Sequence, residues 1–89
     1  MKFTVSGNSM TPVFNDGDIV ETRKKKTYKN GDYVVAKCWG TTVIKEVADI
    51  TDHDCNLLSK GQYNCIDSRV YGRVPLDCII GVAKKIETE

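Results

Sequence analysis

The stretch DYVVAKCWGTTVIKEV, residues 32–47, decides the fold of this chain. Two runs rich in valine, tyrosine and threonine, residues 32–38 and 41–47, flank the dipeptide Trp39-Gly40. These residue types favour strands, and a two-residue connection containing glycine favours a tight turn between antiparallel strands. The stretch therefore predicts a β-hairpin.

Further short β-rich runs, separated by turn signals, lie on both sides of this hairpin. The other predicted strands are residues 2–5, 18–22, 56–58, 63–66 and 78–86. The runs 56–58 and 63–66 are expected to form a second hairpin, and Gly81 is expected to mark a bulge in the last strand. The pattern predicts a mainly β fold, with small twisted antiparallel sheets around one core, in a single domain over residues 1–89.

Little helix is expected. A short helical turn is predicted near residues 10–15, where Pro12 suits a first turn, and residues 71–75 are interpreted as a loop that leads to the last strand. The segments NDGDIVE, residues 15–21, and KNGDYVV, residues 29–35, resemble each other. Asp16, Asp18 and Asp32 are expected to cap these turns through hydrogen bonds to the backbone.

Composition excludes some classes of function. The chain has 13 Lys+Arg and 12 Asp+Glu, a net charge of +1, which gives no overall field for nucleic acid or a membrane surface. Neither a bilayer-spanning apolar run nor a signal peptide is recognisable, so a soluble, cytoplasmic protein is expected. The basic run at residues 23–26, with Lys29, is interpreted as a solvated loop.

The four cysteines, Cys38, Cys55, Cys65 and Cys78, lack the paired spacing of a zinc site. Reduced, partly buried thiols are the favoured interpretation, and a Cys55–Cys65 disulfide is the alternative. A catalytic pair of Cys55 with His53 is the weaker reading, and a loop histidine near a strand is favoured.

Ser9 is the first candidate functional residue. It stands in SGNSMTPVFNDGD, residues 6–18, where glycine, asparagine and proline suffice to make turns and a Ser-Met pair is not required. Ser9 is therefore interpreted either as an ordinary turn residue or as a nucleophile.

Lys45 is the second candidate. Alternate residues of a strand share a face, so Lys45 lies between Val43 and Val47 on an apolar face. Complete burial lowers the pKa of a lysine, and a neutral lysine can act as a general base for a serine. The alternative is a lysine at a strand edge, with its stem packed and its head in water.

Three segments together resemble the C-terminal peptidase domain of LexA-like self-cleaving repressors, a family that includes phage repressors and UmuD mutagenesis proteins. VSGNSMTPVFNDGDIVE is similar to the family's V-S-G-x-S-M-x-P…G-D-x-V segment. KNGDYVVAKCWGTTVIKEV is similar to its N-G-D-x-V-V-A…T-V-K block, and LDCIIGVAKKI to its last strand. Signal peptidases share a Ser-Lys dyad but look less similar.

The resemblance implies roles for particular residues. Ser9 matches the nucleophile and Lys45 the base, while backbone N–H groups of Ser9 and Asn8 match the oxyanion hole. Met10 and Pro12 match positions that shape the substrate turn, with core filling as the alternative for Met10. The family requires neither a cofactor nor a metal.

The resemblance also implies partners: a homodimer through the C-terminal strand, a peptide linker cut in cis or in trans, and SOS-type regulation of transcription. The family's linker and its DNA-binding helix-turn-helix domain are not recognisable before Ser9. A piece of a longer repressor, a cleavage product or a relative acting on another chain is therefore expected. The rival hypotheses are a catalytically idle dimerisation or regulatory module and a β-barrel binding module that shares the motif by accident.

One extra residue, Ile44, separates Lys45 from the family's common T-V-K spacing. The alternative is that Val43-Ile44 stands in the place of Thr-Val, so that no residue is added. An added strand residue reverses the facing of the residues after it unless a bulge absorbs it.

Overall fold

The computed structural model describes residues 1–7, 9–60 and 67–86. Within these ranges the chain forms strands that pair antiparallel in the order β1-β2-β7-β3-β4-β5-β6. The strands are β1 (Lys2–Thr4), β2 (Ile19–Arg23), β3 (Tyr33–Cys38), β4 (Thr41–Ala48), β5 (Asp54–Leu58), β6 (Val74–Pro75) and β7 (Ile79–Lys85). The mainly β, antiparallel fold predicted from the sequence is confirmed.

The hairpin of β3 and β4 forms as predicted. Its two-residue turn has positive φ at both positions, 55° at Trp39 and 77° at Gly40, which matches the right-handed twist of the flanking strands. The pairing runs without a shift from Cys38↔Thr41 to Tyr33↔Glu46. This register places Lys45 directly opposite Val34.

Strand β7 lies inside the sheet, between β2 and β3. Its register with β3 shifts where Val35 pairs with Gly81 and Ala36 pairs with Ile79, so that Ile80 is an extra residue. The bulge predicted near Gly81 is thereby confirmed. A Cβ atom at Gly81 would lie 2.9 Å from the carbonyl oxygen of Arg23 on β2, so glycine allows the two backbones to approach.

Among the described residues, the buried apolar side chains form two clusters, and β3 contributes to both of them. The first cluster comprises Val34, Ala36, Val47, Cys55, Leu57, Val74 and Ile79. The second cluster comprises Val5, Met10, Phe14, Val20, Val35 and Ala83. Because neighbouring strand residues point to opposite faces, Val34 and Val35 pack on opposite sides of the sheet.

Two predictions about the second half of the chain were wrong. A one-turn helix, α1 (Ser68–Tyr71), was not anticipated, and residues 71–75 are not simply a loop because Val74–Pro75 pairs with β5. A further 3-10 turn covers Leu76–Cys78. One turn is too short to show amphipathic periodicity. The predicted strand at residues 63–66 lies outside the described residues.

The predicted turn near residues 10–15 is present. It contains a helical-type hydrogen bond from the Phe14 N–H to the Met10 carbonyl at 3.0 Å, without developing into a helix.

Replacing Gly81 with alanine should destabilise the protein, because the new methyl group would collide with the Arg23 backbone, which a side-chain movement cannot relieve. We expect Gly81→Ala to lower the free energy of unfolding by about 1–3 kcal/mol, measured by urea denaturation. Lys84→Ala, at an exposed position of the same strand, is the control and should change it by less than about 0.5 kcal/mol. Equal stability of the two variants would contradict the close approach of β2 and β7.

Candidate functional site

The loop that carries Ser9 joins β1 to β2 and is closed by hydrogen bonds at its base. The Val5 N–H donates to the Asp18 carbonyl at 2.7 Å. The predicted capping role of three aspartates is confirmed by bonds from Gly7 N–H to Asp16, Asn15 N–H to Asp18 and Lys29 N–H to Asp32. The carboxylates of Asp16 and Asp18 therefore hold the Ser9 loop, and that of Asp32 holds the turn before β3.

Met10 and Phe14 anchor the Ser9 loop to the sheet. Met10 is 1% exposed and Phe14 is buried beside it in the second cluster. The Phe14 ring meets the Tyr33 ring edge-on, with centroids 5.4 Å apart. Met10 thus fills the core, whereas Pro12 is exposed and follows a cis Thr11-Pro12 bond. Burial of Met10 holds the neighbouring Ser9 near the sheet.

Ser9 and Lys45, 36 residues apart in the sequence, meet in the fold. The Nζ atom of Lys45 donates a hydrogen bond to the Oγ atom of Ser9 at 2.8 Å. Lys45 is 3% exposed, so its head does not extend into water as the strand-edge alternative supposed. A buried amine in contact with a hydroxyl is the arrangement that serine activation requires.

The extra residue Ile44 does not turn Lys45 away from Ser9. The pairing of β3 with β4 is regular across this region, and Ile44 packs against the second cluster. Lys45, opposite Val34, lies on the side of the first cluster. No bulge in the β3–β4 pairing is needed to bring Lys45 to Ser9.

The oxyanion hole that the resemblance implies remains a prediction. Asn8, the second suggested N–H donor, lies outside the described residues. The Ser9 carbonyl accepts a hydrogen bond from the Lys60 N–H at 2.9 Å, which fixes the main chain on one side of the nucleophile.

The residues after β5 connect the Ser9 loop to β4. The Nζ atom of Lys60 lies 3.0 Å from a carboxylate oxygen of Glu46, the residue after Lys45. The hydrogen bond to Glu46 and the charge of that carboxylate raise the pKa of Lys60 above its usual value. Lys60 therefore contacts the Ser9 loop through its backbone and β4 through its side chain.

Asp67 is a buried charged residue that sequence reasoning did not single out. It is 0% exposed and caps α1, accepting hydrogen bonds from the N–H groups of Ser59 at 2.8 Å and Arg69 at 2.9 Å. Its carboxylate also pairs with the Arg69 guanidinium at 2.8 Å. Because aspartate is a favoured N-cap residue, its place before Ser68 could have suggested a helix start. Its contact with Ser59 depends on the tertiary structure and has no signal in the sequence.

The pKa of Asp67 reflects opposing effects. Burial raises the pKa, but the hydrogen bonds from Arg69 and from the Ser59 N–H outweigh burial and lower it to about 2. The carboxylate is therefore charged at neutral pH, and its charge is balanced by that of Arg69.

Cys38, Cys55 and Cys78 are free thiols, as the favoured interpretation of the cysteines expected, and Cys65 lies outside the described residues. Burial raises the pKa of Cys55 to about 11, which keeps this thiol protonated at neutral pH and unsuited to nucleophilic attack.

In the described parts of the chain no group of three or more His, Cys, Asp or Glu residues could hold a metal ion.

The lysines of the basic run, residues 24–26 with Lys29, are exposed, as expected of a solvated loop. In residues 1–7, 9–60 and 67–86, no helix has the length and apolar character needed to cross a membrane.

Residues 1–71 match the sequence profile of the family described as Peptidase S24-like. The matched range includes both Ser9 and Lys45. No curated protein matches the chain.

The depressed pKa of Asp67 predicts an acid-dependent loss of stability. Its lowering from 3.8 to about 2 corresponds to roughly 2 kcal/mol of stability. This contribution is fully present above about pH 4 and is lost as the pH falls towards 2. The difference in unfolding free energy between wild type and Asp67→Asn should therefore shrink over that range in urea denaturation. Asp52→Asn, at an exposed bend, controls for the loss of one charge. A difference that stays constant with pH would contradict the assignment.

Proposed function

Because the chain belongs to the S24-like peptidase family, we propose that it is a serine peptidase with a catalytic dyad of Ser9 and Lys45. The observation that carries the proposal is the 2.8 Å contact between a buried amine and a serine hydroxyl. Family membership supports a peptidase of this kind in general, and the contact supports the choice of Ser9 and Lys45 as the two side chains that would perform the reaction.

Lys45 acts as the general base in the proposed reaction. Burial disfavours the charged form of a lysine, and Lys45 on β4 is a buried residue that is 3% exposed. Once neutral, the amine accepts the proton of the Ser9 hydroxyl across the same contact. A lysine that stayed protonated could not perform this step.

Ser9 attacks the carbonyl carbon of a peptide bond, and its proton passes to Lys45. The resulting oxyanion is stabilised by backbone N–H groups of Ser9 and Asn8, the donors that the resemblance implies. Lys45 then protonates the leaving amine as the C–N bond breaks. Water hydrolyses the acyl-enzyme with Lys45 again as the base, which regenerates the Ser9 hydroxyl.

The proposed substrate is a peptide linker of a LexA-like or phage-repressor-like transcriptional regulator in the cytoplasm, cut in cis or in trans. DNA would be contacted by a separate N-terminal domain of that regulator, and no role at a membrane is proposed. The proposed homodimer forms through the C-terminal strand. In the structure β7 pairs with β2 along Val82–Lys85 and with β3 along Ile79–Val82.

A fluorophosphonate that reacts with activated serines tests the dyad. Wild type should be labelled covalently. Ser9→Ala removes the reactive oxygen, and Lys45→Met removes the base while keeping an apolar chain in the buried position, so neither variant should be labelled. Lys37→Ala, at an exposed lysine on β3, should be labelled like wild type. The readout is intact-mass spectrometry. Equal labelling of wild type, Ser9→Ala and Lys45→Met would exclude the dyad, and an unlabelled wild type would favour the idle regulatory module.

The labelling rate should rise with pH until Lys45 is largely neutral, because only the neutral amine accepts the Ser9 proton. Rates measured across the range in which the protein stays folded should follow a single ascending step. Lys45→Arg, whose guanidinium does not deprotonate, should remain unlabelled throughout. A rate independent of pH in wild type would argue against a lysine base.

A further inference from the structure

We propose that Asp67 is a positioning residue for the nucleophile: through the backbone of Ser59 and Lys60 it fixes the place of Ser9 relative to Lys45. This inference rests on the proposed function, because it assigns Asp67 a part in the reaction of the dyad. The path has three contacts: the first two involve backbone groups, and the third joins the side chains of Lys45 and Ser9.

The first contact is between Asp67 and Ser59. The ladder of β4 and β5 ends at Glu46↔Leu58, and the next backbone N–H, that of Ser59, donates to Asp67 at 2.8 Å. Asp67 therefore provides the hydrogen-bond acceptor for the backbone that follows β5, at the point where the β4–β5 ladder ends.

The second contact joins this segment to the Ser9 loop. The Lys60 N–H donates to the Ser9 carbonyl at 2.9 Å. The direction of the Lys60 N–H depends on the peptide plane that links Ser59 to Lys60, and that plane begins at the Cα atom of Ser59, the residue whose N–H Asp67 binds. Movement of Ser59 would therefore move the group that holds the main chain of Ser9.

The third contact is the dyad itself, at 2.8 Å between Lys45 Nζ and Ser9 Oγ. Lys45 is fixed independently of Asp67, because the ladder of β3 and β4 holds its backbone. Displacement of the Ser9 loop would thus change the distance between the nucleophile and its base, and a misplacement of about 1 Å can cost on the order of a hundredfold in rate.

Asp67 acts through position rather than through its charge. The Arg69 guanidinium lies 2.8 Å from the carboxylate and balances it. Asparagine, a good helix cap, would keep one oxygen able to accept from the Ser59 N–H. The asparagine variant should therefore retain much of the effect, and the alanine variant should not.

Ser68 supplies a matched control on the same helix. Its hydroxyl accepts a hydrogen bond from the Leu57 N–H at 2.8 Å, so Ser68→Ala also removes a bond between α1 and β5. Leu57 lies within the ladder opposite Val47, and its place does not depend on Ser68. Loss of the Ser68 bond should weaken the docking of α1 without moving Ser9.

The first experiment measures fluorophosphonate labelling of folded protein as a function of probe concentration, at neutral pH. Asp67→Ala should lower the maximal labelling rate about tenfold or more, with little change in the concentration that gives half the maximal rate. Asp67→Asn should fall between wild type and Asp67→Ala, and Ser68→Ala should stay within about twofold of wild type. Equal effects of Asp67→Ala and Ser68→Ala would overturn the inference.

A second pair of variants does not depend on whether Asp67→Ala folds. Lys60→Pro removes the N–H that holds Ser9, and Lys60→Ala keeps it. Both lose the ion pair with Glu46, so their comparison reports the loss of the backbone N–H together with the restraint that proline places on the backbone of Ser59 and residue 60. We expect Lys60→Pro to be labelled about tenfold more slowly than Lys60→Ala, and equal rates would overturn the inference.

Amide hydrogen exchange followed by NMR separates failure of this inference from failure of the proposed function. Asp67→Ala should accelerate exchange at Ser59 and Lys60 about tenfold or more while leaving Leu57 nearly unchanged. An unlabelled wild type would overturn the proposed function together with the positioning role of Asp67. A labelled wild type with unchanged exchange at Lys60 in Asp67→Ala would overturn the inference alone.

Discussion

The amine of Lys45 donates to the hydroxyl of Ser9 at 2.8 Å while only 3% of the lysine is exposed. A buried ammonium is expensive unless it is hydrogen-bonded or loses its proton. The fold has to provide a partner for this amine, and Ser9 is one that it provides. The structure around the contact can be understood as two supports, a strand that carries the amine and a loop that carries the hydroxyl.

The strand support comes from the β3–β4 hairpin. Its turn sets a register without interruption, and β3 is buried on both faces through Val34 and Val35. A slip of β3 by one residue would send its side chains to the opposite faces of the sheet and disrupt the packing of both clusters. Lys45 therefore keeps an orientation opposite to that of its neighbour Ile44, which packs on the second cluster.

The loop support is built differently. Met10 ties the loop to the second cluster, and Asp16 and Asp18 close its turns. On the other side the Ser9 carbonyl is held by Lys60, next to the backbone group that Asp67 binds. A buried carboxylate is costly unless it is well hydrogen-bonded, and Asp67 is compensated by Arg69 and by backbone N–H groups. The hydrogen bonds of Asp67 to Arg69 and to backbone N–H groups keep its carboxylate in place, and this gives the Ser9 loop a defined position.

Local signals were sufficient for the hairpin turn at Trp39-Gly40, the bulge beside Gly81, the capping aspartates and the strands around them, because alternation and turn chemistry act between residues close in the chain. The pattern also placed Lys45 between valines and raised Ser9 as a candidate. Only the tertiary structure decided that the two meet, that α1 forms, and that Asp67 reaches Ser59. Ser9 and Lys45 lie 36 residues apart, and the geometry of all three features depends on how the sheet and loops pack, which no local pattern encodes.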